Sequence, residues 1–104
     1  MMVTVKSREV QRGMFAEMQS RPDEAREHFL AAAYLELVLA KDYEQAGDEE
    51  LARRSRISAA SCFWRAGEVG TAQTIFEEER QSHPSGCGEI QDLINELKGG
   101  SVEQ

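Results

Sequence analysis

The side chains that could do chemistry in this chain are few and scattered. His28 and His83 are its two histidines, Cys62 and Cys87 its two cysteines. His83 and Cys87 stand four apart, a spacing for two metal ligands on one helical face. Pro84 and Gly86 fall between them and break that helix, and no second close pair completes a tetrahedral set, so no metal is expected. His28, beside Glu24 and Glu27, reads as a partly exposed structural histidine with helix-surface partners rather than a catalytic base. Glu77, Glu78 and Glu79, balanced by Arg80, read as a solvated helix exit; carboxylates adjacent in sequence do not make the spaced pair that glycoside chemistry needs. Gly67 and Gly70 lack the preceding strand and the lysine of a phosphate loop. The expectation is therefore a protein with no catalytic residues and no cofactor, and not an enzyme. Cys62 sits in an apolar helical pattern and is expected to be buried. Cys87, flanked by glycine, is expected to be exposed, and the sequence leaves a bridge between the two open.

Such a chain must work through its surfaces, so the elements that build them matter more. With 104 residues there is room for one modest core, hence one domain over residues 1–104. A formal charge of -7 opposes a broad grip on nucleic-acid phosphates or an anionic membrane, so neither is expected as a partner. The local basic spot at Arg53, Arg54 and Arg56 could still meet an acidic partner. The longest apolar candidate, residues 29–40, is interrupted by Glu36 and is too short to span a bilayer. The N-terminal residues offer no basic leader and apolar stretch, and a cytoplasmic location is expected.

Glycine and proline fall where helices begin or end, and the periodicity predicts an all-α fold of about five antiparallel helices. The first, about 6–19, places Val10, Met14 and Met18 at four-residue intervals beside Phe15; Gly13 within it suggests close approach by a neighbour. The second opens with Ser20 as a cap, Pro22 in the first turn, and Asp23 and Glu24 at the positive helix end. From Phe29 to Ala40 it is apolar on almost every side and should be the buried centre. The acidic stretch 41–50 is read as an exposed connection, or as an extension of the second helix to about residue 45. The third helix, about 49–66, has Leu51, Ser55, Ala59, Cys62, Phe63 and Ala66 on its core side, with Gly67 suited to a left-handed terminus. The fourth, about 69–82, buries Ala72, Ile75 and Phe76 and is closed by Pro84. In the last, about 89–98, Ile90, Leu93, Ile94 and Leu97 form a stripe that Gly99 and Gly100 stop.

An internal recurrence runs through these helices at an offset of 47 residues. Gly13, Ala16, Ala25, Phe29 and Ala32 are matched by Ala60, Phe63, Ala72, Phe76 and Glu79, so four of the five pairs keep a small or apolar character. A helix pair that crosses at small residues, with a phenylalanine wedged beyond the crossing, produces such a pattern, and stacking two pairs creates a continuous core. The order and spacing of Ala60, Phe63, Ala72, Phe76 and Pro84 resemble the tetratricopeptide repeat family, and Gly13, Ala25, Phe29 and Ala32 follow it too. The chain departs from that family in its 47-residue repeat in place of 34. It departs also at Ala16 and Leu37, where an aromatic and a proline are usual, at Glu79 in place of alanine, and at Glu9 and Arg56, where large residues are expected. The resemblance implies two stacked helix pairs, residues 5–45 and 49–84, and a capping helix over residues 87–98.

It further implies that the first helices of the two pairs line a concave binding surface. The matching positions are Val10, Met14, Glu17 and Met18 on the first helix, and Arg54, Ile57, Ser61, Trp64 and Arg65 on the third. Such a surface is apolar with charged edges: methionine adapts to irregular partners, tryptophan supplies contact area, and Arg65 can pair with a carboxylate or stack on an aromatic. It does not resemble the subgroup of the family in which lysine, arginine and asparagine hold an acidic C-terminus, since Val10, Met14, Ile57 and Ser61 provide little of that chemistry. The expected function is a noncatalytic protein-interaction module for a helix or extended apolar segment. Trp64 and the methionines could instead fill the core. The other readings are a structural or regulatory subunit that self-associates as a homodimer, and a small enzyme of unknown class.

Overall fold

The helices begin and end where local chemistry dictates. A computed structural model describes residues 2–83 and 87–102, and the side chains of residues 8–83 and 88–99. It contains α1 (Met2–Met18), α2 (Pro22–Gln45), α3 (Glu49–Arg65), α4 (Val69–Ser82) and α5 (Cys87–Val102). Pro22 starts α2 with Asp23 and Glu24 in the first turn, and Asp48 caps α3, its side chain accepting from the Leu51 N–H at 3.1 Å. The acidic stretch is thus helix to Gln45 and only then a turn.

Three connections share one geometry. In each, a left-handed residue ends the helix, at Ser20 (φ 57°), Gly47 (φ 82°) and Gly67 (φ 87°). The N–H of that residue and of the next bond back to two carbonyls of the last turn: Ser20 to Glu17 and Arg21 to Ala16, Gly47 to Glu44 and Asp48 to Tyr43, Gly67 to Trp64 and Glu68 to Phe63. Ser20 therefore closes α1 instead of capping α2, as the sequence reading had it; Arg21 takes the cap position with no side-chain hydrogen bond. The turn at Ser20 recurs at Gly67, 47 residues on, bond for bond.

The five residue pairs of the 47-residue recurrence are all buried, Glu79 included. Ala16, Ala25, Phe29 and Ala66 form one buried cluster, and Ala32, Ala33, Ala59, Ala60, Cys62, Phe63, Ala72, Phe76 and Ile90 the other. Alanine at the helix crossings lets backbones approach closely, and each fully buried phenylalanine contributes about 1.5–3 kcal/mol. At Gly13 even alanine is too large: a Cβ there would lie 2.9 Å from the Phe29 ring. Chain neighbours pack in succession, α1 on α2, α2 on α3 and α3 on α4, and α5 folds back on α3 and α4. The result is two stacked helix pairs with a covering helix, in a slab of 40 × 32 × 17 Å. No helix among the described residues is long and apolar enough to cross a membrane.

Several expectations change. Tyr34 and Val38 on α2 and Leu51 on α3 are exposed, so α2 is not apolar-buried all round. Tyr34 instead stands edge-on against Phe63, centroids 5.3 Å apart. α5 continues through Gly99 and Gly100 to Val102, since each glycine costs a helix only about 1 kcal/mol. Pro84 and the side chain of Cys87 lie outside the described residues. Ser55, Ala59, Cys62 and Ala66 are buried on α3, whereas their counterparts on α1, Arg8, Arg12, Phe15 and Gln19, are exposed. Of these four residues only Phe15 is apolar.

The two departures from the repeat pattern in the second pair meet each other. Arg56 Nε donates to Glu79 Oε2 at 2.9 Å, and Arg56 also reaches Glu44 at 2.8 Å and Glu49 at 3.8 Å. Burial opposes the Arg56 charge, but the hydrogen bond and charge of Glu79, with Glu44 and Glu49, outweigh it and raise its pKa above the ordinary value. Glu9, the counterpart of Arg56, also forms ionic contacts, accepting from His28 Nδ1 at 2.6 Å and from Arg12 at 3.3 Å.

Removing one member of the Arg56–Glu79 pair leaves a charge in a mostly buried place. Urea unfolding of Glu79→Ala or Arg56→Leu should each show about 3 kcal/mol lost, and the double variant should recover most of it. Additive losses in the double variant would contradict the coupling. Gly13→Ala should lower stability by about 1–3 kcal/mol through overpacking on Phe29, against the helix-propensity gain, as seen in its thermal midpoint.

Candidate functional site

The α1 and α3 residues expected to form a surface lie on two helices that each pack on α2, and their sequence register groups them into three levels; α1 and α3 are not among the closely packed helix pairs. At the first level Val10 and Ile57 are half-buried and pack against the core, while Arg54, exposed, holds Glu50 at 3.2 Å. At the second, Met14 is 44% exposed, and Ser61 is half-buried with its Oγ donating to the Ile57 carbonyl at 3.2 Å. At the third, Met18 is 83% exposed, Glu17 and Arg65 are exposed, and Trp64 is half-buried against the core. The open apolar area therefore belongs to α1, through Met14 and Met18, and the polar area to α3.

The third level contains a concavity. A cleft of about 380 Å³ is lined by Glu17, Ser20, Arg21, Pro22, Ala25 and Arg65, where the α1–α2 turn meets the end of α3. Glu17 and Arg65, 48 residues apart in sequence, are brought to one hollow. The remaining lining residues are not expected as site residues from the sequence, where Ser20 and Pro22 read as helix-start signals and Ala25 as part of the recurrence. Their signal is the turn itself, because Ser20 in a left-handed conformation followed by Pro22 folds the chain back beside Arg65.

Two guanidinium groups shape this cleft. Arg65 lies over the Phe29 ring at 5.2 Å, and Arg21 lies over Phe15 at 5.9 Å while pairing with Glu24 at 2.8 Å. Below the cleft a third arginine locks α2 to the end of α3: Arg26 donates to the Ala66 carbonyl at 2.6 Å and to Glu68 at 3.0 Å. A cation at the last carbonyls of α3 complements the negative helix end. The wall that carries Arg65 is thereby fixed relative to α2.

The candidate chemical residues lie elsewhere. His28 is half-buried between Glu9, at 2.6 Å, and Glu24, at 3.8 Å, so its ring ties α1 to α2. His83 Nδ1 is 3.8 Å from Glu79 Oε1. Cys62 is buried in the core, as its apolar pattern implies. Among the described residues no group of three or more His, Cys, Asp or Glu side chains could hold a metal ion. The hollow at the end of α3 sets two cations, Arg21 and Arg65, and one carboxylate, Glu17, around Pro22 and Ala25. Comparison with family models, curated proteins and solved structures finds no match for this chain.

Ser20 is the one non-glycine residue with positive φ among those described, and it lines the cleft. Ser20→Gly should raise stability by about 1 kcal/mol by relieving that conformation. Chemical denaturation would measure this, with an unchanged or lowered midpoint as the contrary result.

Proposed function

We propose that this protein is a noncatalytic interaction module, similar to a short tetratricopeptide-repeat protein, that holds a helix or extended apolar segment of another protein across α1 and the end of α3. The observation that carries the reading is the pair Met14 and Met18, one helical turn apart on α1 and open to solvent. Exposed methionines adapt to irregular partner surfaces, and large exposed apolar side chains grouped together mark interaction sites more than scattered ones do. Val10, Ile57 and Trp64, half-buried against the core, support the surface from below and contribute edges, while Arg54 lies at its far end. The proposal carries with it a cytoplasmic setting and a protein partner. The charge of -7 supports a protein over a phosphate backbone or an anionic membrane.

The test selects peptides that bind the purified protein from a displayed random library, then measures their affinity for Met14→Gln and Met18→Gln together. The double variant should keep its helical spectrum and thermal midpoint and lose about tenfold in affinity, equivalent to 1.4 kcal/mol. Unchanged affinity with the fold intact would remove this surface from consideration. The mass in solution across a concentration series distinguishes a partner protein from self-association: a stable dimer that the same two substitutions dissolve would make a second copy the occupant.

A further inference from the structure

Among the described residues, four buried side-chain nitrogen and oxygen atoms have no hydrogen-bond partner, and two of them face each other. Glu79 Oε1 and His83 Nδ1 stand 3.8 Å apart at the C-terminal end of α4. The Glu79 side chain is 6% exposed, and its other oxygen is held by Arg56 Nε at 2.9 Å, which fixes the direction of the free one. In the sequence His83 pairs with Cys87 across Pro84 and Gly86; Glu79 stands four residues to the other side of it, on the unbroken helix. A buried carboxylate oxygen without a donor is costly, so a cation at this point is stabilised. The imidazole does not reach it with a hydrogen bond at 3.8 Å. A ring that carries its proton on Nε2 turns the Nδ1 lone pair toward the carboxylate, and two acceptors then converge on one point.

The geometry points to a site for a divalent transition-metal ion of the zinc type, held between Glu79 Oε1 and His83 Nδ1. An imidazole nitrogen and a carboxylate oxygen bind zinc at about 2.0–2.2 Å and, at a tetrahedral angle, stand about 3.4 Å apart, so a small closure of the pair completes the chelate. This mixed donor set favours zinc or copper over magnesium and calcium, which take oxygen ligands. The surrounding charge agrees. Glu79, Glu44 and Glu49 gather around the single guanidinium of Arg56, three carboxylates against one cation. Arg80, in the same turn, lies 3.8 Å from Glu77. The last carbonyls of α4 add the negative end of the helix. His83, with 38% of its side chain exposed, gives the ion a way in from solvent. Two protein ligands leave the other coordination positions to water, so the ion exchanges more readily than one in a closed four-ligand site. Once bound, it links the end of α4, through Glu79 and Arg56, to α3 and to Glu44 at the end of α2.

The test titrates zinc chloride, with magnesium chloride as the control, into the full-length protein carrying nitrogen-15 in its histidine rings, near neutral pH. The ring signals tell a metal on Nδ1 from one on Nε2. Zinc should shift the His83 Nδ1 signal saturably and leave His28 in place, and magnesium should move neither. Calorimetry on His83→Gln should show zinc affinity lowered by about tenfold or more, and Glu79→Gln, with its helical spectrum retained, should show a similar loss. Zinc on Nε2 of His83, zinc at His28 alone, no binding, or an affinity unchanged in either folded variant would overturn the site. If Glu79→Gln does not fold, the choice of nitrogen in the unaltered protein decides, because Nδ1 is the one that faces Glu79.

Discussion

Phe29 is the contact on which this arrangement rests. Its ring is completely buried, it lies where any Cβ at Gly13 would intrude, and its other neighbour is the Arg65 guanidinium. One side chain of α2 thus sets the approach of α1 and supports a cation from α3. The closeness of α1 and α2 depends on a residue without a side chain at position 13, and the position of Arg65 depends on the ring that closeness encloses. At the corresponding positions of the second helix pair, Phe76 and Ala60 are buried in one cluster. Core construction and surface chemistry are consequently coupled through a single ring at the cleft end of α2.

Much of this could be read before the coordinates. Helices α3 and α4 follow their apolar periodicity nearly to the residue, Gly67 ends its helix left-handed, and Gly13 does mark a close approach. The recurrence at 47 residues was legible because buried crossings demand small side chains at fixed spacing, a constraint that survives in the residue types. Features governed by competing weak preferences were less legible. Ser20 is a good cap by type and a poor left-handed residue, yet the turn geometry before Pro22 requires the second role. Gly99 and Gly100 weaken α5 without ending it. Tyr34 and Val38 belong to an apolar run too wide for the surface that α1 and α3 can cover, so one side of it remains in solvent.

The candidate site divides along the same line. That Met14 and Met18 share a face follows from a spacing of four, and that Glu17, Met18 and Arg65 reach one end follows from the recurrence. The cleft does not follow from either, because it is made by the turn between two helices and by residues with no periodic signature. The cation over Phe29 is likewise a contact across 36 positions of chain. The Arg56–Glu79 pair is hidden for the same reason: each residue, taken alone, spoils a repeat position, and only the packing of α3 on α4 brings Arg56 Nε to Glu79 Oε2.

That pairing bears on how such a chain could have arisen. An ancestor with apolar residues at positions 56 and 79 could not acquire the buried acid first without stranding a charge, nor the arginine first without forcing a cation against an apolar wall. Glu44, half-exposed at 2.8 Å from Arg56, provides a way around the obstacle: an arginine can be held at the edge by an outer carboxylate before the inner one appears. The order outer acid, then arginine, then inner acid leaves no charge stranded at any step. In related chains the identity of residue 79 should accordingly depend on residue 56, and that of residue 56 on residue 44, a directional dependence that no single helix carries by itself.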